Sequence, residues 1–181
     1  MSRSRTRARL AIGCCLAVLA GIGGAWAGGV RINATSSMPR GLWFVAGGGS
    51  PEVRRGDVLV LCIPDRAAAR LGRGRGYLGT GPCPDGSEPL IKPAAAVAGD
   101  RVLVSPDGVA VNGAVLPHSA QLAADSAGRP LPRWPTGEYA VRPGEVWAVA
   151  THAPNSWDSR YWGPVPLSSV FGVARPLAVA P

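Results

Sequence analysis

The segment EPLIKPAAAVAGDRVLVS, residues 88–105, decides the fold class because it contains two short strands joined by a turn. Apolar residues dominate both halves, and the Ala-Gly-Asp between them is typical of a tight reversal. Similar short apolar runs recur along the chain: GLWFVA (41–46), DVLVLCI (57–63), EYAVRPGEVWAVAT (138–151) and LSSVFGVARPLAV (167–179). Asp-Gly and Asn-Gly in PDGVAVNGAVLP, residues 106–117, predict a hairpin. The sequence therefore predicts a mainly β fold.

Two segments depart from this strand pattern. Residues 65–79, DRAAARLGRGRGYLG, begin with an aspartate that suits the N-cap of an alanine-rich helix, and their glycines predict its end. Residues 117–137 are rich in Pro, Ala and Ser and predict a loop. The 25 Gly and 18 Pro residues are scattered among the strands, so the 181-residue chain is expected to form one domain with many turns after a terminal appendage.

That appendage has the features of a membrane anchor. Residues 10–30, LAIGCCLAVLAGIGGAWAGGV, contain no charged side chain over 21 positions, which matches the roughly 20 residues that cross a bilayer. Residues 1–9 contain four arginines and no acid, whereas only Arg31 follows the segment closely. By the positive-inside rule we predict a cytoplasmic basic arm (1–9), a transmembrane signal anchor (10–30) and a periplasmic domain (31–181) in a bacterium.

Two other interpretations of the anchor remain open. Residues 25–27, AWA, resemble the small-residue cleavage site of a removed signal peptide, although the apolar stretch exceeds the usual 7 to 15 residues of such a peptide. The sequence AIGC, which ends at Cys14, resembles a lipoprotein site, but the segment stays apolar for 16 residues beyond it. The length of the segment therefore favours a retained anchor over both.

The positive charge does not require a nucleic-acid partner. The formal net charge is +8, and a basic surface is typical of phosphate binding. Four of these charges belong to the basic arm, which leaves +4 for the rest of the chain, and the remaining basic residues do not cluster with aromatic ones. The sequence therefore predicts a membrane partner for the arm and no nucleic acid.

The four cysteines divide between two environments. Cys14 and Cys15 lie in the predicted anchor, where packing as small apolar residues is the simplest role. Cys62 and Cys83 lie 21 positions apart in the periplasmic part, a compartment that permits disulfides, and we predict that they pair. The chain has no CxxC spacing and no Cys/His cluster, so neither a metal site nor a cofactor is predicted.

The only lysine of the chain, Lys92, lies between the apolar flanks PLI and PAAAVA. Such a setting lowers the pKa of an amine by desolvation, and a neutral amine can serve as a base, which an arginine does not. A surface lysine in an arginine-rich chain is the alternative.

A serine hydroxyl needs a neighbouring base to become a good nucleophile, and Ser–Lys pairs are one solution. NATSSMPRG, residues 33–41, offers such hydroxyls.

Three segments in order resemble the three conserved boxes of type I signal peptidases: NATSSMPRG (33–41), IKPAAAVAGD (91–100) and NSWDSRYWGPV (155–165). The first box, together with Cys62 and Cys83, is most similar to the conjugative-transfer branch of that superfamily, the TraF-type pilin-maturation peptidases. The resemblance spans nearly all of residues 33–172. It implies a signal-peptidase-like β fold with a single N-terminal transmembrane helix and a serine endopeptidase activity.

The resemblance also implies a role for each matching residue. Ser37 would be the nucleophile and Lys92 the general base, while the hydroxyl of Thr35 would join the Ser37 N–H in an oxyanion hole. In the last box, Ser156 would hold the lysine amine, and Asp158 and Arg160 would form a supporting ion pair. Other residues of similar chemistry are less favoured: Ser36 is one place out of register with the family, and His152 and His118 suit polar turns.

The substrate implied by the resemblance is a membrane-inserted precursor with small residues before the cut, namely a conjugative pilin subunit, bound as an added strand. Ser37 follows Val30 by 7 residues, so the chain holds it within about 25 Å of the end of the anchor. The scissile bond of such a precursor emerges at that membrane surface. The alternatives are a general secretory signal peptidase and a catalytically idle, membrane-anchored component of a conjugative transfer apparatus.

Overall fold

A computed structural model describes residues 13, 16–17, 19–21, 23–25, 27–47 and 52–180. In this part of the chain the strands, in order, are β1 (Val30–Asn33), β2 (Gly41–Gly47), β3 (Val58–Leu61), β4 (Leu90–Val97), β5 (Arg101–Ser105), β6 (Gly108–Val111), β7 (Ala114–Val115), β8 (Gly137–Ala140), β9 (Glu145–Ala148), β10 (Val165–Pro166) and β11 (Val170–Val179). The helices are α1 (Arg66–Gly74), α2 (Ser159–Trp162) and a 3₁₀ turn (Leu167–Ser169). The mainly β prediction is confirmed.

The strands form two antiparallel sheets. The larger has the order β1-β2-β11-β3-β4-β9-β10, and the smaller has the order β7-β6-β5-β8. The segment 88–105 connects them, because β4 belongs to the first sheet and β5 to the second. Gly99 makes the turn between these strands with a φ of 90°, a conformation that favours glycine. The Asp100 side chain closes the turn by accepting a hydrogen bond from the Val97 N–H at 2.9 Å.

Alternation along β9 joins the two hydrophobic cores. Val146 and Ala148 pack in the core of the larger sheet, with Trp157 and Tyr161 among its members. Trp147, which points to the opposite face of the strand, packs in the core of the smaller sheet. The sequence run 138–151 is therefore not one strand, because the chain leaves the smaller sheet after β8 and enters the larger one with β9.

Helix α1 and the disulfide follow β3. Asp65 is the N-cap of the helix, as predicted. Its carboxylate accepts hydrogen bonds from the N–H groups of Ala67 at 2.6 Å and Ala68 at 3.2 Å. Cys62 and Cys83 are joined in a disulfide with their Cα atoms 5.7 Å apart. A link across 21 positions stabilises the fold by about 3 kcal/mol in the chain-entropy model. It holds the loop before β4 against the end of β3.

The predicted anchor lies partly outside the described residues, as do the basic arm 1–9 and both Cys14 and Cys15. The described positions between 13 and 27 are helical. Among the described residues, no helix combines the length and the apolar character needed to cross a bilayer, so the transmembrane anchor stays a prediction. Val30, the last residue of the predicted anchor, is also the first residue of β1 and pairs with Phe44 of β2.

Candidate active site

Ser37 and Lys92, which are 55 positions apart, meet where the turn between β1 and β2 reaches β4. Lys92 is the third residue of β4, and only 2 % of its surface is exposed. Its Nζ lies 2.6 Å from the Oγ of Ser37 and 2.9 Å from the Oγ of Ser156. A neutral lysine amine offers one lone pair and two N–H donors, so it can accept the Ser37 proton while it still donates to Ser156. The arrangement can deprotonate a hydroxyl.

Asn33, the last residue of β1, holds the turn that carries Ser37. Its buried Nδ2 donates to the carbonyl oxygens of Thr35 at 3.2 Å, Met38 at 3.1 Å and Pro39 at 3.1 Å. Its Oδ1 accepts from the Thr35 N–H at 3.2 Å. Asn33 has no role in the prediction from the sequence, although an asparagine at the start of a Ser- and Pro-rich turn is a recognisable signal for side-chain bonds to the backbone.

Thr35 lies close to Ser37. Its Oγ1 is 3.3 Å from the Oγ of Ser37, and its hydroxyl donates to the Oδ1 of Asn33 at 2.8 Å. A hydroxyl has a single hydrogen, so Thr35 must turn that hydrogen away from Asn33 before it can donate to an oxygen of a substrate. The position therefore fits the expected oxyanion role only after this rotation.

The surroundings of Lys92 make its amine easier to deprotonate than the amine of an exposed lysine. Burial lowers the pKa of Lys92 to about 8, while the nearby carboxylate of Asp158 raises this pKa and the guanidinium of Arg160 lowers it. Desolvation is the largest of the three effects, because the charged ammonium loses its hydration inside the protein. The shift has the direction that the apolar flanks of Lys92 predict.

A reaction in which Lys92 accepts a proton is expected to follow the titration of its amine. With a pKa of about 8, roughly one tenth of the amine is neutral at pH 7 and about one hundredth at pH 6. We expect kcat/KM to rise about tenfold per pH unit below pH 8 and to level off above it, because only the neutral amine accepts a proton. Initial rates between about pH 6 and pH 10, with tryptophan fluorescence to monitor folding, measure this. A rate that is constant over that range in folded protein contradicts a lysine base.

Asp158 and Arg160 form a fully buried ion pair beside the lysine. The Arg160 Nε donates to the Oδ1 of Asp158 at 2.8 Å and its Nη2 donates to the Oδ2 at 3.0 Å. The Oδ2 also accepts from the N–H of Ala150 at 3.0 Å. This bidentate geometry is the supporting pair that the resemblance implies.

Arg160 also fixes the loop that follows β7. Its Nη1 donates to the carbonyl oxygens of His118 at 2.7 Å, Ala120 at 3.3 Å and Pro154 at 3.2 Å. The carbonyl of Arg160 accepts from the Nε2 of Gln121 at 2.7 Å. One buried cation therefore joins the last box of the chain to the loop predicted at 117–137.

Ser36, His152 and His118 carry groups of similar chemistry. Ser36 lines the cleft next to Ser37, but its side chain is exposed and Lys92 bonds to Ser37 instead. His152 is exposed and lies outside the set of residues that line the cleft. The Nδ1 of His118 lies 2.9 Å from the carbonyl oxygen of Thr151. The geometry therefore pairs Lys92 with Ser37 and with neither histidine.

A cleft of about 590 Å³ opens at the dyad. Residues 32–37 form one side and residues 88–92 form another. The outer wall comes from the loop after β7 and includes Leu122, Asp125 and Leu131. The sequence does not predict this wall, because a Pro- and Ala-rich loop carries no periodic pattern that places it over a distant strand.

Comparison with known proteins agrees with the geometry. The family model described as "Signal peptidase, peptidase S26" matches residues 5–178. A plasmid transfer protein TraF of Escherichia coli is 37 % identical over 177 residues, which cover 96 % of this chain and 98 % of that protein. A probable conjugal transfer protein TraF of Sinorhizobium fredii is 41 % identical over 181 residues, which cover 96 % of this chain and 92 % of that protein.

Two further similarities were found. A conjugal transfer protein TraF of Agrobacterium fabrum is 39 % identical over 150 residues, which cover 83 % of this chain and 82 % of that protein. The crystal structure of a signal peptidase I from Enterococcus faecalis V583 aligns with a TM-score of 0.37 at 20 % identity, over 68 % of this chain and 97 % of that chain. The sequence matches, rather than this structural alignment, identify the family.

Proposed function

Because the chain belongs to the S26 signal peptidase family, we propose that it is a membrane-anchored serine endopeptidase in which Ser37 is the nucleophile and Lys92 the general base. The observation that carries the proposal is the 2.6 Å separation of the Ser37 Oγ from the Nζ of a buried lysine. A buried amine with a lowered pKa beside a hydroxyl in an open cleft is the setting that nucleophilic catalysis requires.

Each proposed step uses atoms of this site. Neutral Lys92 accepts the hydroxyl proton as the Oγ of Ser37 attacks the scissile carbonyl carbon. The Ser37 N–H and the rotated hydroxyl of Thr35 stabilise the oxyanion, and each such donor accounts for about 3 to 4 kcal/mol of the barrier. The Lys92 ammonium then gives its proton to the leaving amine. Water hydrolyses the acyl-enzyme with Lys92 again as the base, while Ser156 keeps the amine in place.

One edge of β4 beside Lys92 suits an extended substrate. Residues 90–93 of β4 pair with β3 on one side, but β9 pairs with β4 only from Ala94 onward. The backbone beside Lys92 is therefore available to a peptide that binds as an added strand.

The proposed substrate is the precursor of a conjugative pilin with small residues before the cut. The support is that relatives aligned over most of this chain are named as plasmid or conjugal transfer proteins. The proposed site of action is the periplasmic face of the bacterial inner membrane, with residues 10–30 as the anchor. The Cys62–Cys83 disulfide suits that oxidising compartment.

Cleavage of a purified pilin precursor tests the function. We expect the full-length protein in detergent to cut the precursor once, and we expect Ser37→Ala to abolish the cut because it removes the attacking oxygen. Ser36→Ala is the matched control and should retain cleavage, since its side chain is exposed and does not bond to Lys92. Intact-mass spectrometry of the products measures both results.

Two other outcomes would replace this proposal. Efficient cleavage of a secretory precursor, with the pilin precursor left intact, would indicate a general signal peptidase. Failure of the folded protein to cut either precursor would indicate the catalytically idle transfer component. Cleavage by Ser37→Ala at the parental rate would show that another group is the nucleophile.

A further inference from the structure

The cleft extends from the dyad in one direction along the chain. Residues 88–92 line the cleft, whereas no residue of β4 after Lys92 does. The acyl half of a substrate stays attached to the serine until water releases it, whereas the leaving half departs after the first step. A cleft that extends to one side of the dyad therefore fits the acyl half, which precedes the scissile bond.

Glu88 lies at the end of this cleft away from Lys92. Glu88 lies two residues before β4, and positions 90 and 92 of that strand share a face. Four residues at about 3.3 Å each span at most about 13 Å, which limits the distance between Glu88 and Lys92 along the chain. A substrate that lies extended beside β4 would bring a side chain about four residues from the cut opposite Glu88.

The charges at this end of the cleft leave Glu88 available. A second carboxylate that lines the cleft, Asp125, is already paired with cations. Its Oδ2 lies 2.7 Å from the Nε of Arg129 and 3.7 Å from an Nη of Arg75. Tyr77 donates its hydroxyl to the same oxygen. Glu88 is exposed and forms no ion pair among the residues that the structure describes.

The backbone holds the Glu88 carboxylate in position. Its Oε1 accepts a hydrogen bond from the Gly79 N–H at 2.8 Å, and the Glu88 N–H donates to the Gly79 carbonyl at 2.9 Å. A carboxylate has about four acceptor sites, so this single side-chain bond leaves the group free to accept more. A cation is the partner that gains most from a fixed, unpaired carboxylate.

We propose that Glu88 selects precursors that carry a Lys or Arg side chain about four residues before the scissile bond. This inference rests on the proposed peptidase function. An ion pair at an exposed position is weak, so the expected selection is about two- to fivefold in kcat/KM. It should decrease in about 0.5 M salt, because added ions screen exposed charges.

A charge exchange tests the inference. Two internally quenched peptides with alanine next to the cut, one with Arg and one with Glu at the fourth residue before it, are cleaved by the full-length protein in detergent. We expect the parent to prefer the Arg peptide and Glu88→Arg to prefer the Glu peptide. Glu52→Arg is the matched control, because Glu52 is exposed and lies outside the cleft, and it should keep the parental preference.

A second variant moves the carboxylate without removing its charge. A Cβ at Gly79 would lie 2.9 Å from the Oε2 of Glu88, so Gly79→Ala should displace the carboxylate. The ratio of kcat/KM for the Arg peptide to that for the Glu peptide should then fall toward one. Equal preference in the parent and in Glu88→Arg, with cleavage that still depends on Ser37, overturns this inference alone. If neither peptide nor the pilin precursor is cut, the proposed function fails and the inference fails with it.

Discussion

Replacement of Lys92 by methionine is expected to lower kcat/KM for precursor cleavage by about 10³-fold or more. Methionine fills a similar volume, but its thioether does not accept the Ser37 proton at neutral pH. The Nζ that lies 2.6 Å from the nucleophile is then absent, and the hydroxyl stays a poor attacking group. Single-turnover rates with the pilin precursor measure the loss.

The same substitution should not weaken the fold, which separates a catalytic role from a structural one. Burial lowers the pKa of Lys92 from its ordinary value of 10.5 to about 8, so the buried amine destabilises the folded state by about 3 kcal/mol at neutral pH. This cost is complete below pH 8, where both states are protonated, and it disappears as the pH rises to about 10.5. Lys92→Met should therefore exceed the parent in stability at pH 7, and the difference should shrink in alkali.

Lys92→Arg completes the test, because arginine keeps the positive charge and does not lose its proton in the working range. We expect it to be as inactive as Lys92→Met. Urea unfolding followed by tryptophan fluorescence shows whether each variant is folded. Near-parental cleavage by either folded variant would make the Ser37–Lys92 dyad wrong, and His152 would be the next base to test.

Local signals account for the parts of the fold that the sequence predicts. Asp65 caps α1 because a short side-chain oxygen before an alanine-rich run has a direct use at a helix start. Asn112 and Gly113, with φ values of 50° and 85°, make the predicted turn between β6 and β7. Both depend on neighbours only a few positions away.

Long-range pairing accounts for what the sequence does not predict. The apolar run of residues 10–30 ends at Val30, which is also the first residue of β1. Hydropathy alone therefore does not show where the predicted anchor ends and the strand begins. The contact between Ser37 and Lys92 depends on strand pairing across 55 positions, and only the family resemblance indicated it. Glu88 and Asp125 line the cleft through packing that no spacing in the sequence encodes.

The buried ion pair gives the second large expected effect. Arg160→Met should lower the free energy of unfolding by about 3 to 5 kcal/mol, because it leaves the Asp158 carboxylate buried without its cation. The carbonyl oxygens of Ala150 and His118 lose their donors as well. Urea unfolding of the full-length protein in detergent, followed by tryptophan fluorescence, measures the loss.

The double variant Asp158→Leu, Arg160→Met separates the pair from its surroundings. Removing both charges is expected to cost less than removing the cation alone, because no charge stays buried without a partner. Asp158 raises the pKa of Lys92 and Arg160 lowers it, so loss of both should leave the midpoint of the pH–rate profile near 8. A double variant as unstable as Arg160→Met would show that Arg160 acts through its bonds to the loop at 117–137, and that its pairing with Asp158 adds little.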